Sequence, residues 1–192
     1  MNFSELVNQM AYPITKLWFY PLCRISIRNI SGAENIPNKT PFIIVSNHER
    51  LIDPLYIIYP ILKKLGQKVH FVASPTWWFL GEIICRQWAG CIPLFNSNQA
   101  YREAKYLIKS GEIVGIFPEG GTKKTKNPKT GAVRLALETK KPILPVAVKS
   151  SYLPFNSTIN IGKPIYLKKR RNIKKQTSEL MMDVYRLRNN GI

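Results

Sequence analysis

The stretch Ser46-Asn47-His48-Glu49-Arg50-Leu51-Ile52-Asp53-Pro54 sets an imidazole and a carboxylate five residues apart, in a polar loop that follows an apolar run. Such a pair suits general base catalysis. A carboxylate on one ring nitrogen fixes the tautomer and stabilises the protonated ring, leaving the other nitrogen to take a proton from an alcohol. An unperturbed imidazole titrates near pH ~6.5, close to working pH. On a single helix, five positions correspond to ~140° of rotation and would hold the groups apart. A loop can fold the carboxylate back onto the ring. The sequence predicts His48 at a strand end and Asp53 as the cap of a helix that begins at Pro54. Helix capping alone would also account for an Asp before Pro. No GxSxG elbow and no cysteine in a nucleophile motif accompanies the pair. The second histidine, His70, sits on an apparent strand, so no metal site is expected.

The elements that must position these groups are short. Apolar, β-branched runs recur at Phe42–Ser46, Val69–Ala73, Cys91–Phe95, Ile113–Phe117, Ile143–Val148 and Thr158–Leu167. Several lack alternation, as expected of strands covered on both faces. Helical periodicity falls between them. Asn98–Ser110 lines up Tyr101, Ala104, Leu107 and Ile108 before Gly111, Thr130–Lys140 is Ala/Leu-rich, and residues 174–188 align Thr177, Leu180, Met181, Val184 and Leu187. Alternating strands and helices predict a single α/β domain: a central, largely parallel or mixed sheet flanked by helices, plus an N-terminal amphipathic helical segment.

Four ordered blocks resemble those of the glycerolipid acyltransferases, the family that includes 1-acylglycerol-3-phosphate acyltransferase. They are Asn47-His48-x4-Asp53-Pro54, Gly90-Cys91-Ile92-Pro93-Leu94, Phe117-Pro118-Glu119-Gly120 and Pro142-Ile143-Leu144-Pro145-Val146. Gly32-Ala33-Glu34-Asn35-Ile36-Pro37 also resembles the segment that precedes the first block. The resemblance implies direct transfer of a fatty acyl group from acyl-CoA or acyl-ACP to the free hydroxyl of a 1-acylglycerol-3-phosphate, giving phosphatidic acid for phospholipid biosynthesis. His48 and Asp53 would be catalytic. Glu119, Gly120, Gly121, Thr122, Lys123 and Pro145 would serve the substrates, with no cofactor beyond the thioester. A thiolate leaves without a strong acid, so no nucleophilic Ser or Cys is required. The Gly-rich loop after Phe117 is the natural source of backbone donors for the oxyanion, and an apolar groove or tunnel is expected for the acyl chain. Two positions depart from the family pattern. Phe95 and Asn96 stand where an acidic residue or Asn and then an Arg are usual, and Gly121 is inserted before Thr122, Lys123 and Lys124. Lys123, Lys124, Lys126 or Arg102 would then have to meet a phosphate, as point charges or as a fork. The alternative is an acyltransferase of the same family with another acceptor: glycerol 3-phosphate, another lysophospholipid or an amino-acid lipid.

Composition sets the remaining bounds. The chain has 192 residues, enough for one well-packed domain, and 29 Lys plus Arg against 11 Asp plus Glu give a formal charge of +18. That field suits an anionic membrane surface, an acidic acyl carrier protein or, as a distant alternative without catalysis, polyanion binding in general. No nucleic-acid motif is recognisable and no nucleic-acid partner is expected. Lys168-Lys169-Arg170-Arg171 with Lys174 and Lys175 forms either a solvated face or a lipid or carrier contact. Three cysteines without CxxC spacing predict buried, reduced thiols. No signal peptide is visible, and no run approaches the ~20 uncharged apolar residues of a spanning helix. Residues 1–28, with Leu6, Met10, Ile14, Leu17, Trp18 and Leu22 on one face, are read as a membrane-docking helical segment, and residues 29–192 as the acyltransferase domain. A second aromatic patch, Trp77-Trp78-Phe79, opens the helix expected after the Val69 strand. The expected location is the cytoplasmic side of a membrane, peripheral or monotopic.

Overall fold

The computed structural model describes residues 17–74, 81–122, 125, 127–168 and 172–189. Among these, seven strands form one sheet: β1 (Ile27–Ser31), β2 (Ile43–Ser46), β3 (Val69–Ala73), β4 (Ile92–Pro93), β5 (Ile113–Ile116), β6 (Ile143–Lys149) and β7 (Ser157–Ile161). Their order is β1-β7-β6-β2-β5-β3-β4, with β2 in the middle. Every neighbouring pair is parallel except β6 and β7. The carboxyl ends of β6, β2, β5, β3 and β4 therefore share one edge of the sheet, the usual place for a site in an open parallel sheet.

Helices cover both faces, which is why β2 (IIVS) is buried at every position and shows no alternation. On one face, residues 17–26 (α1) and Asp53–Leu65 (α2) pack Phe19, Cys23, Tyr56, Ile57 and Ile61 against Ile44, Phe71 and Val146. On the other, Ser97–Lys109 (α3), Gly131–Thr139 (α4) and Ile173–Asn189 (α5) pack Ala104, Leu135 and Met181 against Val45, Val114 and Ala147. The expected α/β domain with a mixed sheet is thus present. The stripe Thr177, Leu180, Met181 and Val184 is buried as its periodicity required.

Several boundaries differ from the sequence reading. β1 was not anticipated, because IRNIS offers only two apolar side chains and pairs at a sheet edge with β7. Cys91–Phe95 shortens to Ile92–Pro93, since Pro93 lacks an N–H and Asn96 already caps α3. Thr158–Leu167 becomes β7 plus a single bridge, Ile165 to Ile143, beyond the Gly162–Pro164 break. In α1, Phe19 is core, packed against Tyr59, whereas Trp18 of the expected docking face is exposed. Most of the expected docking segment and Trp77-Trp78-Phe79 lie outside the described residues; a π-helical turn follows at Ile83–Trp88. Cys23 and Cys85 are buried and Cys91 partly so; burial pushes the Cys23 thiol up to about 12 and the Cys91 thiol up to about 11.

One glycine is required by close approach. Gly115 on β5 sits in register with Phe71 on β3, and a Cβ there would lie 2.3 Å from the Phe71 ring. That ring stacks on Phe117 at 5.1 Å. Gly115→Ala should therefore cost ~1–3 kcal/mol by overpacking, read from denaturant midpoints.

Candidate active site

The loop that leaves β2 replaces lost ladder bonds with side-chain ones. Asn47 is buried, and its amide donates to Val148 O and accepts from Val148 N–H, both at 2.8 Å. The side chain thereby extends the β2–β6 ladder and aims the next residue off the sheet edge. His48 follows, its side chain 14% exposed, and its Nδ1 lies 3.0 Å from Oδ2 of Asp53, which is wholly buried. The same Oδ2 accepts the N–H of Glu49 at 2.5 Å and of Arg50 at 2.8 Å. An oxygen surrounded by backbone donors is an acceptor, so Nδ1 carries the ring proton and Nε2 is left as the base.

Asp53 is not the helix cap the sequence suggested. α2 begins at Asp53 itself, Ile52 occupies the cap position with helical dihedrals, and no side chain caps the helix. The carboxylate turns back into the loop instead, because four residues of irregular chain between His48 and Asp53 need donors satisfied more than the helix start does.

Two further groups hold the loop. Glu119, buried just beyond β5, accepts His48 N–H on Oε2 at 2.7 Å and the Tyr185 hydroxyl on Oε1. Burial and the Glu119 carboxylate together push the Tyr185 phenol well above its ordinary range. Three residues further along α5, Arg188 pairs with Glu49 of the loop. The imidazole stacks on Phe117 at 4.3 Å with 17° between planes, continuing the Phe71–Phe117 stack from β3 and β5. Sequence reasoning missed Tyr185, Arg188 and Phe71. The available signal for the first two was spacing: they sit three apart, beside the buried α5 stripe.

The structure brings together His48, Asp53 and Glu119, and it places Gly120 in the turn that follows. Gly120 adopts φ 72°, a left-handed conformation that favours glycine, and its N–H closes the turn on Phe117 O at 3.1 Å. Gly121 and Thr122 are exposed next to it; Lys123, Lys124 and Lys126 are outside the described residues, as are Lys169, Arg170 and Arg171. Pro145 is not brought to the pair: it lies inside β6, level with Val45, and accepts from Gly162 N–H at 2.9 Å. Arg102 is exposed on α3. Asn96, at the position where an Arg is usual, caps α3 by accepting from the N–H of Asn98 and Gln99. His70 bonds Gly90 O and lies 3.7 Å from Glu112, remote from His48 in the sheet. A cavity of about 590 Å³ lies between α1, β1 and α2, lined by Arg24, Arg28, Tyr59 and Lys63 among others, and none of its lining residues belongs to the His48–Asp53 loop.

Several known proteins are similar to this chain. A 1-acyl-sn-glycerol-3-phosphate acyltransferase of Borreliella burgdorferi is 29% identical over 72% of this chain, and the match spans 58% of that protein's length. One from Bacillus subtilis is 27% identical over 71% of this chain and 73% of its own. The crystal structure of the 1-acyl-sn-glycerophosphate (LPA) acyltransferase PlsC from Thermotoga maritima superposes with a TM-score of 0.73 at 20% identity, over 99% of this chain and 84% of that one. The fold is therefore shared with that protein. The family model described as Acyltransferase matches residues 27–149, from β1 through β6 and including His48, Asp53 and Glu119, and the chain belongs to that family.

Proposed function

We propose that this protein transfers a fatty acyl group from a thioester, acyl-CoA or acyl-ACP, to the free hydroxyl of 1-acylglycerol-3-phosphate, giving phosphatidic acid. The observation that carries this reading is the 3.0 Å contact between His48 Nδ1 and Asp53 Oδ2, which leaves Nε2 as the base. Nε2 takes the hydroxyl proton as the acceptor oxygen attacks the thioester carbonyl. The tetrahedral oxyanion is met by backbone N–H groups of the exposed Gly121–Thr122 loop, and the C–S bond then breaks to release a thiolate. That thiolate recovers the proton from the imidazolium or from water. Glu119 and Tyr185 hold the His48 backbone rather than the reacting atoms. Of the groups the resemblance assigns to substrate, Lys123 is the candidate for the acceptor phosphate.

Asn96 favours a second reading of the acceptor. Its amide is committed to α3, so this chain lacks the usual cation of the second block. An acceptor with another headgroup is the alternative, and competition between lysophosphatidic acid, glycerol 3-phosphate and choline- or glycine-linked lipids separates the two.

Membrane docking on the cytoplasmic side is part of the same proposal. Among the described residues no helix is long and apolar enough to cross a membrane. Leu17, Trp18, Leu22 and Ile25 of α1 are exposed, with the last three spaced as a helical stripe. That outward apolar stripe on a chain of charge +18 suits an anionic lipid surface.

His48→Ala should lower turnover of labelled acyl thioester by about 10³-fold or more while the variant remains folded by circular dichroism. Asp53→Asn should lower kcat by ~10²–10⁴-fold by unfixing the tautomer, with little effect on KM; wild-type kcat in this variant would remove the carboxylate from the mechanism. Tyr185→Phe frees one oxygen of Glu119 and should lower kcat by roughly tenfold while KM for both substrates holds, because the hydroxyl acts through the loop position. Steady-state kinetics on the purified variant would decide this.

A further inference from the structure

The connection between β6 and β7 has a tied neck and an apolar tip. Its neck is closed by Ser157, whose hydroxyl accepts Ser151 N–H at 2.9 Å and donates to Ser151 O at 3.2 Å. Tyr56 of α2 donates to the same Ser151 carbonyl at 3.1 Å, and Arg50 Nε donates to Ser150 O at 3.0 Å. The tip is Tyr152-Leu153-Pro154-Phe155, with Tyr152, Leu153 and Phe155 exposed by 65%, 67% and 61%. A loop tip in water is ordinarily small and polar, so three large apolar side chains in succession mark a surface meant to be covered.

The backbone supports this. Phe155 adopts φ 53°, a left-handed conformation that a bulky residue enters only at a cost. It is held there by its N–H, which donates to Ile25 O at the end of α1 at 2.8 Å. Asn or Gly would satisfy the same turn without strain, so the aromatic ring is kept against the local preference of the chain. The hydrogen bond also joins the tip to Ile25, which shares the outward stripe of α1 with Leu22. On the other side, the Arg50 guanidinium lies 4.9 Å above the Tyr152 ring, and Leu51, the next residue of the catalytic loop, is 59% exposed. Apolar and aromatic side chains with Arg50 over one ring, and with the exposed Arg24 and Lys149 next in sequence to Ile25 and to the neck at Ser150, are the composition of a bilayer interface: rings at headgroup depth, cations toward anionic lipid.

We infer that Tyr152–Phe155 is a second membrane anchor, which enters an anionic lipid surface together with α1 and sets the His48 loop at the depth of the acceptor hydroxyl. The inference rests on the reading that the acceptor is drawn from a bilayer. It adds to α1 a neighbouring anchor that lies between that helix and the His48 loop, so that two adjoining elements fix the approach of the sheet edge to the membrane.

The test is co-sedimentation of the full chain with vesicles of equal parts phosphatidylglycerol and phosphatidylcholine, a readout that does not depend on turnover. Replacing Tyr152→Ser, Leu153→Ser and Phe155→Asn together should weaken partition by roughly tenfold or more. Turnover on a short-chain, monomeric acceptor should hold, while turnover on vesicle-embedded acceptor should fall with the partition. Leu153→Trp should tighten partition and Leu153→Asp should loosen it, a two-way response that a folding role would not give. Phe155→Asn alone should keep or raise the melting temperature, because Asn tolerates the left-handed turn. Unchanged partition in the folded triple variant, together with no response to Leu153→Asp or Leu153→Trp, would overturn the inference. So would a shift from dimer to monomer with vesicle binding intact, which would make the tip a contact between copies of the chain. Partition that falls in a protein showing no transfer to any acceptor would refute the acyltransferase reading and leave the anchor standing.

Discussion

Oδ2 of Asp53, fully buried, accepts the N–H of Glu49, the N–H of Arg50 and the Nδ1–H of His48, so three donors converge on one oxygen. A carboxylate removed from water is strongly unfavourable unless its charge is met by donors at short range. Here the donors belong to the loop that the carboxylate must organise, and the solvation of the charge and the shape of the loop become one problem. The chain between His48 and Asp53 has no ladder of its own; the carboxylate takes the place of one. Oδ1, also buried, has no hydrogen-bond partner among the described residues. The whole of the acceptor capacity is thus concentrated on the side facing His48, which ties the tautomer of the ring to the closure of the loop.

The rest of the sheet makes that closure reproducible. Asn47 fixes where the chain leaves β2, the central strand, by bonding both main-chain groups of Val148. Gly115 leaves room for the Phe71 ring, Phe71 supports Phe117, and Phe117 supports the imidazole face. From the opposite face of the sheet, α5 reaches the loop through Tyr185–Glu119 and Arg188–Glu49. Strands supply the imidazole–carboxylate pair, an aromatic stack one wall, and a distant helix the brace. A site built this way depends on parallel strands ending at one edge, since only then do β2, β5 and β6 present their loops together.

Much of this was legible in the sequence, and the gaps have physical causes. His48, Asp53 and Glu119 fall where residue type and order placed them, because strand-to-loop transitions are signalled locally by apolar runs that end in polar or Gly-rich sequence. The helices on the second face matched their periodicity to within about two residues, as long amphipathic stretches should. β1 escaped because an edge strand needs little apolar content. Asp53 was misread as a cap because capping and back-bonding use the same residue type before Pro, and only the dihedrals of Ile52 separate them. Tyr185 and Arg188 were invisible because their partners lie 66 and 139 residues away, beyond any local pattern.

Charge is divided between a buried, locally bonded pair and a cationic exterior. Of the 11 acidic residues against 29 basic ones, Glu49, Asp53 and Glu119 are all bonded at the catalytic loop. Others are taken up by nearby cations: Glu82 and Glu103 by Arg86, Glu138 by Lys105, Asp183 by Arg186. Carboxylates that are scarce and locally engaged leave the outward field of the protein cationic, without placing an unpaired acid near the imidazole. The two sets of charges then answer differently to salt. Exposed cations act across distances comparable to the Debye length, ~8–10 Å, and are screened; the buried Asp53 contact at 3.0 Å is not. Ionic strength therefore acts on the outward cationic field and leaves the His48–Asp53 contact intact.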